Sequence, residues 1–513
     1  MTLSESVLSI LEPYVNHNAA YNSTEREKEE ATICQPGTRT RVLNQIQRWV
    51  RGDGPSTMWL YGPAGAGKST IAYTIAEQCD NQSPRTLAFS YFFSRRNTDR
   101  SNLTKFIPTF AYQLSRTMPS LGPWILEVYK SDPAIFRQRL RDQAQRLIIY
   151  PLWKMLAQAP QMILPTMTVV IDGLDEYSEE SGGVSLSQLT PIFFNDLECL
   201  PFRIFFASRP EPYIRAIFDK LSAATQTMMI PVSDWETSDD IYRHLSLHLS
   251  EVQTRKGLPP SWPSQSEICT LVDKSEGIFI YASTLIKFVG ANNCNSKVRL
   301  QEAMKSHSGL DPLFVQVLDS AKEHADFQYT LGVIMHTRKR LPIGVLAPFL
   351  ERDTHNIRSS FEGALSIFIV PDTDEDYIRP YHASLQDFLT DRRRSGNHFL
   401  DPVTTHAAIV EACAGLIAQD SGSDTVSTEH LFYAYRNWCY HVLLTLSSEN
   451  CSNIDRSPLL CPSTKLATRL SQDITWLRRM KSHEEAKQWL AELRKVILYA
   501  KVSDCTMSNF DYS

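Results

Sequence analysis

A glycine-rich stretch has the residue types and spacing that bind phosphate. It reads Gly62-Pro63-Ala64-Gly65-Ala66-Gly67-Lys68-Ser69-Thr70 and matches the Walker A pattern G-x-x-x-x-G-K-[ST]. Its glycines let the backbone turn amide groups inward around phosphates, at the positive end of a helix. Lys68 adds a cation for the β- and γ-phosphates, and the Ser69 hydroxyl is a ligand for Mg²⁺. The pattern can arise by chance, but a predicted strand before it and an amphipathic segment after it favour a nucleotide-binding loop.

A second group of polar residues follows an apolar run, Thr168 to Ile171, that predicts a strand. The residues are Asp172-Gly173-Leu174-Asp175-Glu176, an extended Walker B pattern. Open α/β sheets bind ligands at the carboxyl ends of their strands, so Asp172 is predicted to hold Mg²⁺. Glu176 is the predicted general base that polarises the attacking water, with Asp175 as the alternative.

An arginine ends another predicted strand. Arg203 to Ala207 is apolar and β-branched or aromatic in character, and Arg209 follows it. A cation at that edge is placed to read the γ-phosphate. The alternative is a surface arginine paired with Glu211.

These residues need a scaffold, and the hydrophobic pattern predicts a parallel sheet covered by helices. Five short apolar runs alternate with segments long enough for helices, which is typical of βαβ units. The runs are Met58–Tyr61, Leu87–Phe93, Thr168–Ile171, Arg203–Ala207 and Met228–Val232.

Beyond residue 233 the pattern becomes helical, for example over Asp239–Leu249, Glu267–Val289 and Pro312–His324. A hairpin-like piece, Phe368–Val370 and Tyr377–Arg379, follows short helices and suggests a winged helix. We therefore predict a polar segment (1–33), a P-loop NTPase domain (34–232), a helical domain (233–327), a winged-helix-like domain (328–395) and a helical C-terminal region (396–513).

Composition limits the classes of function. The 513 residues are 42% hydrophobic, 21% charged and have a net charge of −5, so the chain is globular and gives no sign of nucleic-acid binding. Its cysteines form no Cys-x-x-Cys pair, and reduced thiols are expected. The start of the chain lacks the features of a signal peptide, and the longest apolar stretch, Ile278–Ala291, is too short to span a bilayer. A cytoplasmic protein without a membrane partner is the expectation.

The Gly-Pro-Ala-Gly-Ala-Gly-Lys-Ser-Thr, Ile-Asp-Gly-Leu-Asp-Glu and Ser-Arg-Pro-Glu segments, in that order, resemble the NACHT NTPases abundant in fungi. These are STAND proteins, and their domain is similar to the nephrocystin-3-like N-terminal module. Cys34–Arg39, Glu276–Ala282 and Tyr381–Leu389 also fit the family pattern. The resemblance covers roughly residues 30–445 and is more specific in its first half.

The resemblance implies a nucleotide-gated switch. ADP holds the protein closed, exchange for ATP opens it and permits self-association, and slow hydrolysis resets it. By the resemblance, Thr38 and Arg39 lie near the adenine, and His382 contacts the β-phosphate. The residue-level alternative for His382 is a histidine that fixes a helix start. The chain departs from the family in having Gly277-Ile278-Phe279 where many relatives have Gly-x-Pro. The protein trigger and effector are unknown.

Other classes of P-loop protein fit the sequence less well. A dedicated ATPase or small-molecule kinase is the main alternative, although such enzymes seldom need hundreds of further helical residues. A translocase is disfavoured because no basic channel is apparent. A GTPase would carry Asn-Lys-x-Asp, which is absent. A scaffold that binds nothing is disfavoured by intact Lys68, Ser69, Asp172 and Glu176.

Overall fold

The structure is a computed structural model, and it falls into two compact units. The first comprises Met1–Gly290 with Cys294–Leu310, and the second Ala291–Asn293 with Asp311–Ser513. It describes residues 3–29, 31–95, 97, 99–101, 103–158, 166–177, 188–197, 200–222, 227–232, 237–292, 294–321, 327–419, 429–447, 487–496 and 498. Residues 420–428 and most of the predicted C-terminal helical region beyond 447 lie outside these residues.

The first unit is built on a five-stranded parallel sheet. Its strands are β1 (Thr57–Tyr61), β2 (Leu87–Phe92), β3 (Met167–Asp172), β4 (Phe202–Ser208) and β5 (Thr227–Pro231), in the spatial order β2-β3-β4-β1-β5. The predicted strands and the predicted α/β fold are confirmed. Because β4 lies between β1 and β3, residues that follow β4 are placed between the phosphate loop and the acidic strand end.

Helices cover both faces of this sheet, as a parallel sheet requires. Alternate residues of β1 enter different apolar clusters: Trp59 packs on one face, and Met58 and Leu60 pack on the other. The helices of this unit are α1 (Leu3–Leu11), α2 (Thr24–Lys28), α3 (Thr40–Val50), α4 (Lys68–Asp80), α5 (Phe106–Thr117), α6 (Gly122–Ser131), α7 (Leu140–Ala144), α8 (Tyr150–Gln158), α9 (Leu189–Pro191), α10 (Pro212–Ser222), α11 (Thr237–Lys256), α12 (Gln265–Lys274), α13 (Phe279–Gly290) and α14 (Ser296–Lys305).

The N-terminal segment is part of this unit. Val7, Leu11, Val15 and Ala19 are buried in the same apolar cluster as α5 and α6. These four residues of the predicted polar segment (1–33) therefore contribute to the core of the first unit.

The helix predicted over Glu267–Val289 is interrupted. Glu276 and Gly277 both have left-handed backbone, with φ of 50° and 76°, which no α-helix accommodates. As a result α12 ends at Lys274 and α13 begins at Phe279. The break frees backbone groups that the functional site uses.

Within its described residues, the second unit is helical apart from one short hairpin. Its strands, β6 (Phe368–Ile369) and β7 (Arg379–Pro380), pair antiparallel close to the predicted positions. The winged-helix assignment remains a prediction. The helices are α15 (Leu310–Ala321), α16 (Phe327–His336), α17 (Ile343–Phe349), α18 (Thr354–Ser360), α19 (Ala383–Leu389), α20 (Arg392–Ser395), α21 (Pro402–Gln419) and α22 (Glu429–Ser447).

Two global expectations concern membranes and cysteines. Across the ranges given above, no helix is long and apolar enough to cross a bilayer. The described cysteines are free thiols, and Cys34, Cys79, Cys413 and Cys439 are buried.

Candidate functional site

The glycine-rich loop joins β1 to α4, as the motif predicts. Gly65 and Gly67 have φ of 76° and 87°, and this left-handed backbone turns successive amides toward one side of a loop. Lys68 is only 9% exposed, and its ammonium donates to the carbonyls of Gly62 (2.8 Å) and Pro63 (2.7 Å). Burial lowers the pKa of Lys68, and the Asp175 and Asp172 carboxylates act against that shift. The lysine is thus a desolvated cation in the loop.

The predicted metal ligands meet at the start of α4. The Asp172 carboxylate is 4% exposed, and Ser69, an exposed residue, is one of the groups that lower its pKa. Burial raises the pKa of Asp172 to about 6, against the lowering effects of Arg26, Ser69 and Lys68. A carboxylate and a hydroxyl are the hard oxygen donors that Mg²⁺ prefers.

Asp175 and Arg209 form an ion pair at the ends of β3 and β4. The Arg209 Nε lies 3.1 Å from one Asp175 carboxylate oxygen, and the Arg209 backbone N–H donates to the other at 3.0 Å. The Asp175 side chain is 4% exposed and that of Arg209 is 17% exposed. Asp175 is therefore occupied in positioning Arg209, which favours Glu176 as the general base.

Glu176 lies on a short 3₁₀ turn, Leu174–Glu176, and is half-buried. One of its carboxylate oxygens accepts from the backbone N–H of Arg95 at 3.3 Å. The Arg95 guanidinium donates to the Asp175 carbonyl at 3.1 Å. Arg95 thus supports the acidic turn. Sequence reasoning did not single it out, because it lies after a different strand.

Arg39 joins the phosphate loop to the helices that follow the sheet. Its guanidinium donates to the Ala66 carbonyl (2.6 Å), and its backbone N–H donates to the Asp240 carboxylate (2.9 Å). It also stacks over the Phe279 ring, with 4.5 Å between the guanidinium carbon and the ring centroid. Burial lowers the pKa of Arg39, and Asp240 acts against that shift. Arg39 has left-handed backbone with φ of 55°, which the surrounding contacts hold in place.

Two further residues approach the loop from α13. Ile280 donates its backbone N–H to the Gly65 carbonyl at 3.2 Å. A Cβ at Gly65 would lie 2.3 Å from Cγ2 of Ile280 and 3.1 Å from Cγ2 of Ile278, so a glycine is required there. The Gly-Ile-Phe segment, a departure from the family pattern, thereby contacts the loop.

The remaining predicted residues have simpler surroundings. Ala64 and Thr70 are half-buried within the loop and its helix. Thr38 is 3% exposed and donates its hydroxyl to the Gln35 carbonyl at 2.7 Å. Its placement near the adenine stays a prediction.

His382 lies in the second unit at the start of α19. Its Nδ1 accepts from the Ser384 backbone N–H at 3.1 Å, so the imidazole caps the helix. His382 therefore fixes a helix start, as the alternative interpretation of this residue predicts. The contact with the β-phosphate stays a prediction.

The residues present fit a nucleotide and Mg²⁺. The loop offers a buried cation and a helix N-terminus, which suit a polyphosphate. Ser69 and Asp172 offer paired oxygen donors beside it. Lys68 and Arg209 supply positive charge, so the chain provides cations for the phosphates and oxygen donors for the metal.

Residues 37–209 match the family model described as nephrocystin 3, N-terminal. This range includes the phosphate loop, the acidic turn and Arg209. This range is similar to the nephrocystin 3 N-terminal domain. The predicted similarity to the nephrocystin-3-like N-terminal module is thereby confirmed over these residues, and the match ends at the arginine that pairs with Asp175.

The nephrocystin-3-like domain and the chain around it were also compared with curated proteins and solved structures. No curated protein matches the sequence. One similar structure is a crystal structure from Pyrococcus horikoshii, described as a signal transduction ATPase with numerous domains (STAND) protein with a tetratricopeptide repeat sensor. The match has 10% identity, a TM-score of 0.39, and covers 90% of this chain and 64% of that chain. A likeness of this strength carries no functional conclusion.

Proposed function

We propose that this protein is an ATP/ADP-binding switch of the STAND type, which opens and self-associates in the ATP state. Slow hydrolysis by the nephrocystin-3-like domain would reset it. A protein trigger and an effector, both unidentified, would act on it in the cytoplasm.

The observation that carries this proposal is the bonding of the phosphate loop to the helices beyond the sheet. Arg39 bonds Ala66 of the loop and also Asp240 of α11, and Ile280 of α13 bonds Gly65. In this proposal, the change from ATP to ADP shifts the positions of the loop carbonyls. Those carbonyls are the acceptors of these bonds. A ligand can shift a conformational equilibrium only through contacts that differ between states, and these contacts offer that difference.

Each polar residue has a role in this proposal. Lys68 binds the phosphates, and Ser69 and Asp172 hold Mg²⁺, which would neutralise phosphate charge when bound. Glu176 orients and deprotonates water, while Asp175 fixes Arg209 toward the terminal phosphate. Thr38 and Arg39 lie on the adenine side, and His382 contacts the β-phosphate.

The test measures nucleotide affinity and single-turnover ATP hydrolysis in the same preparation. A switch binds ATP and ADP tightly and hydrolyses ATP slowly, in the range of minutes or longer. The main alternative, a dedicated ATPase or small-molecule kinase, turns over many times per second once its substrate is present, since enzymes have typical kcat values of about 1–10³ s⁻¹. Rapid multiple turnover would replace the switch with that alternative.

A further inference from the structure

Residues 12–29, which we call the N-terminal strap, are hydrogen-bonded to the core elements of the P-loop domain. The backbone N–H of Asn16 donates to the Thr109 hydroxyl at 2.9 Å, and that of Tyr21 donates to the Ser90 hydroxyl at 3.1 Å. The Tyr21 hydroxyl donates to Asp80, the last residue of α4, at 2.5 Å. The strap therefore contacts α5, β2 and the helix that begins at the phosphate loop.

The strap brings Arg26 to the strand end that carries the predicted metal ligand. The Arg26 side chain is 12% exposed, and its guanidinium carbon lies 4.5 Å from the Phe92 ring centroid. Phe92 is the residue of β2 that pairs with Asp172 of β3. The Nε of Arg26 is buried and has no hydrogen-bond partner. A guanidinium in this position is held by charge and stacking more than by hydrogen bonds.

Arg26 lies among buried charged residues beside the strand end that carries Asp172. Glu29 accepts from Arg26 at 3.1 Å and from Arg100 at 2.8 Å, and the Arg100 side chain is 1% exposed. Two guanidinium groups thus share the Glu29 carboxylate, and Arg26 stacks on Phe92, the β2 partner of Asp172. Asp172 therefore places a second carboxylate beside these guanidinium groups.

We propose that Arg26 is the counter-ion of Asp172 while Mg²⁺ is absent, so that metal loading and docking of the strap oppose each other. A divalent cation at Asp172 places two positive charges near Arg26, and the repulsion acts through a poorly solvated region. The strap then becomes easier to release in the Mg²⁺–ATP state. This inference rests on the proposed function, because it requires that Asp172 hold the metal of a bound nucleotide.

A purely structural Arg26, which only stacks on Phe92, is the competing explanation. The test measures ATP affinity by calorimetry with Mg²⁺ and with EDTA in wild type and variants. Arg26→Met should increase the affinity gained from Mg²⁺ about threefold to tenfold, because the repulsion is removed. Arg26→Lys keeps the charge, and Lys28→Met removes an exposed cation from the same helix, so both should keep the wild-type gain. If Arg26→Met weakens ATP binding equally with Mg²⁺ and with EDTA, the proposal is overturned.

Hydrogen exchange of the wild-type strap provides a second readout that needs no variant. The amides of the strap should exchange faster in ATP with Mg²⁺ than in ATP with EDTA. Identical exchange in the two conditions would overturn the proposal even if Arg26→Met failed to fold. Wild type that binds no ATP would contradict the proposed function as well. If wild type binds ATP tightly and Arg26→Met gains as much ATP affinity from Mg²⁺ as wild type does, only the proposed role of Arg26 is contradicted.

Discussion

Ile280 donates its backbone N–H to the carbonyl of Gly65, so the first turn of α13 is bonded directly to the phosphate loop. The contact exists because the chain leaves the helical conformation at Glu276 and Gly277 and begins a new helix at Phe279. A continuous helix would keep most backbone N–H groups within its own hydrogen bonds. The break therefore gives the loop a partner outside the sheet.

Gly65→Ala tests this contact. The substitution forces a left-handed alanine and overlaps the Ile280 side chain, so it should lower stability by about 1–3 kcal/mol and weaken nucleotide binding at least severalfold. Gly257→Ala is a matched control, since Gly257 has φ of 62° and open space around its Cα. Thermal melting and ATP titration of both variants decide the matter. Equal effects would mean that the approach of Ile280 is unimportant.

Glu176→Gln tests the assignment of the general base. The variant should still bind ATP but hydrolyse it at least about a hundredfold more slowly, because the amide cannot accept the proton of water. Asp175→Asn should instead loosen Arg209, since it loses half of a buried ion pair. Single-turnover assays compare the two. If Glu176→Gln hydrolyses ATP at the wild-type rate and Asp175→Asn does not, Asp175 is the general base instead.

Much of the sheet and the phosphate loop could be predicted because their signals are local. A strand such as Thr168–Ile171 is short, apolar and β-branched, and the Walker A loop carries its chemistry in consecutive residues. Asp175–Arg209 and Arg39–Asp240 could not be predicted in this way, since each pair forms only after distant segments pack. The N-terminal segment did carry a signal: Val7 and Leu11 lie four residues apart, as on one face of a helix, and both fall in α1.

Two variants of His382 separate its capping role from a nucleotide role. Asparagine is a good helix N-cap, so His382→Asn should retain the bond to the Ser384 N–H, whereas His382→Ala should lose about 1 kcal/mol of stability. If His382 also contacts the β-phosphate, both variants should weaken ADP more than ATP. Calorimetry with each nucleotide measures this ratio. An ADP-to-ATP affinity ratio that stays at the wild-type value in His382→Asn would reduce the residue to a helix cap.

Buried histidines in the second unit predict acid sensitivity. His406 and His441 are hydrogen-bonded through their Nδ1 atoms at 2.8 Å, and Tyr433 contacts the Nε2 of His441 at 2.9 Å. Burial lowers the pKa of His406 from 6.5 to about 4, with His336 acting in the same direction. Burial also lowers the pKa of His441, and His406, Arg338 and His336 reinforce that shift.

The sign of the pH dependence follows from these shifts. Between about pH 6.5 and pH 4 the unfolded chain binds more protons than the native chain, so the free energy of unfolding falls as the pH falls. The loss should be on the order of 1–3 kcal/mol, measured by urea unfolding across this range. His406→Gln should flatten the dependence, and the exposed His355→Gln should leave it unchanged. A slope unaffected by His406→Gln would show that other groups cause it.

The central claim is that the nucleotide sets the assembly state, and sedimentation of the purified protein with ADP and with a non-hydrolysable ATP analogue tests it most directly. The account predicts a monomer with ADP and a larger species with the analogue. Lys68→Ala should bind either nucleotide at least tenfold more weakly, about 1.4 kcal/mol, and should show no such difference at the same concentrations. A wild-type protein that binds both nucleotides and sediments identically with each would contradict the account.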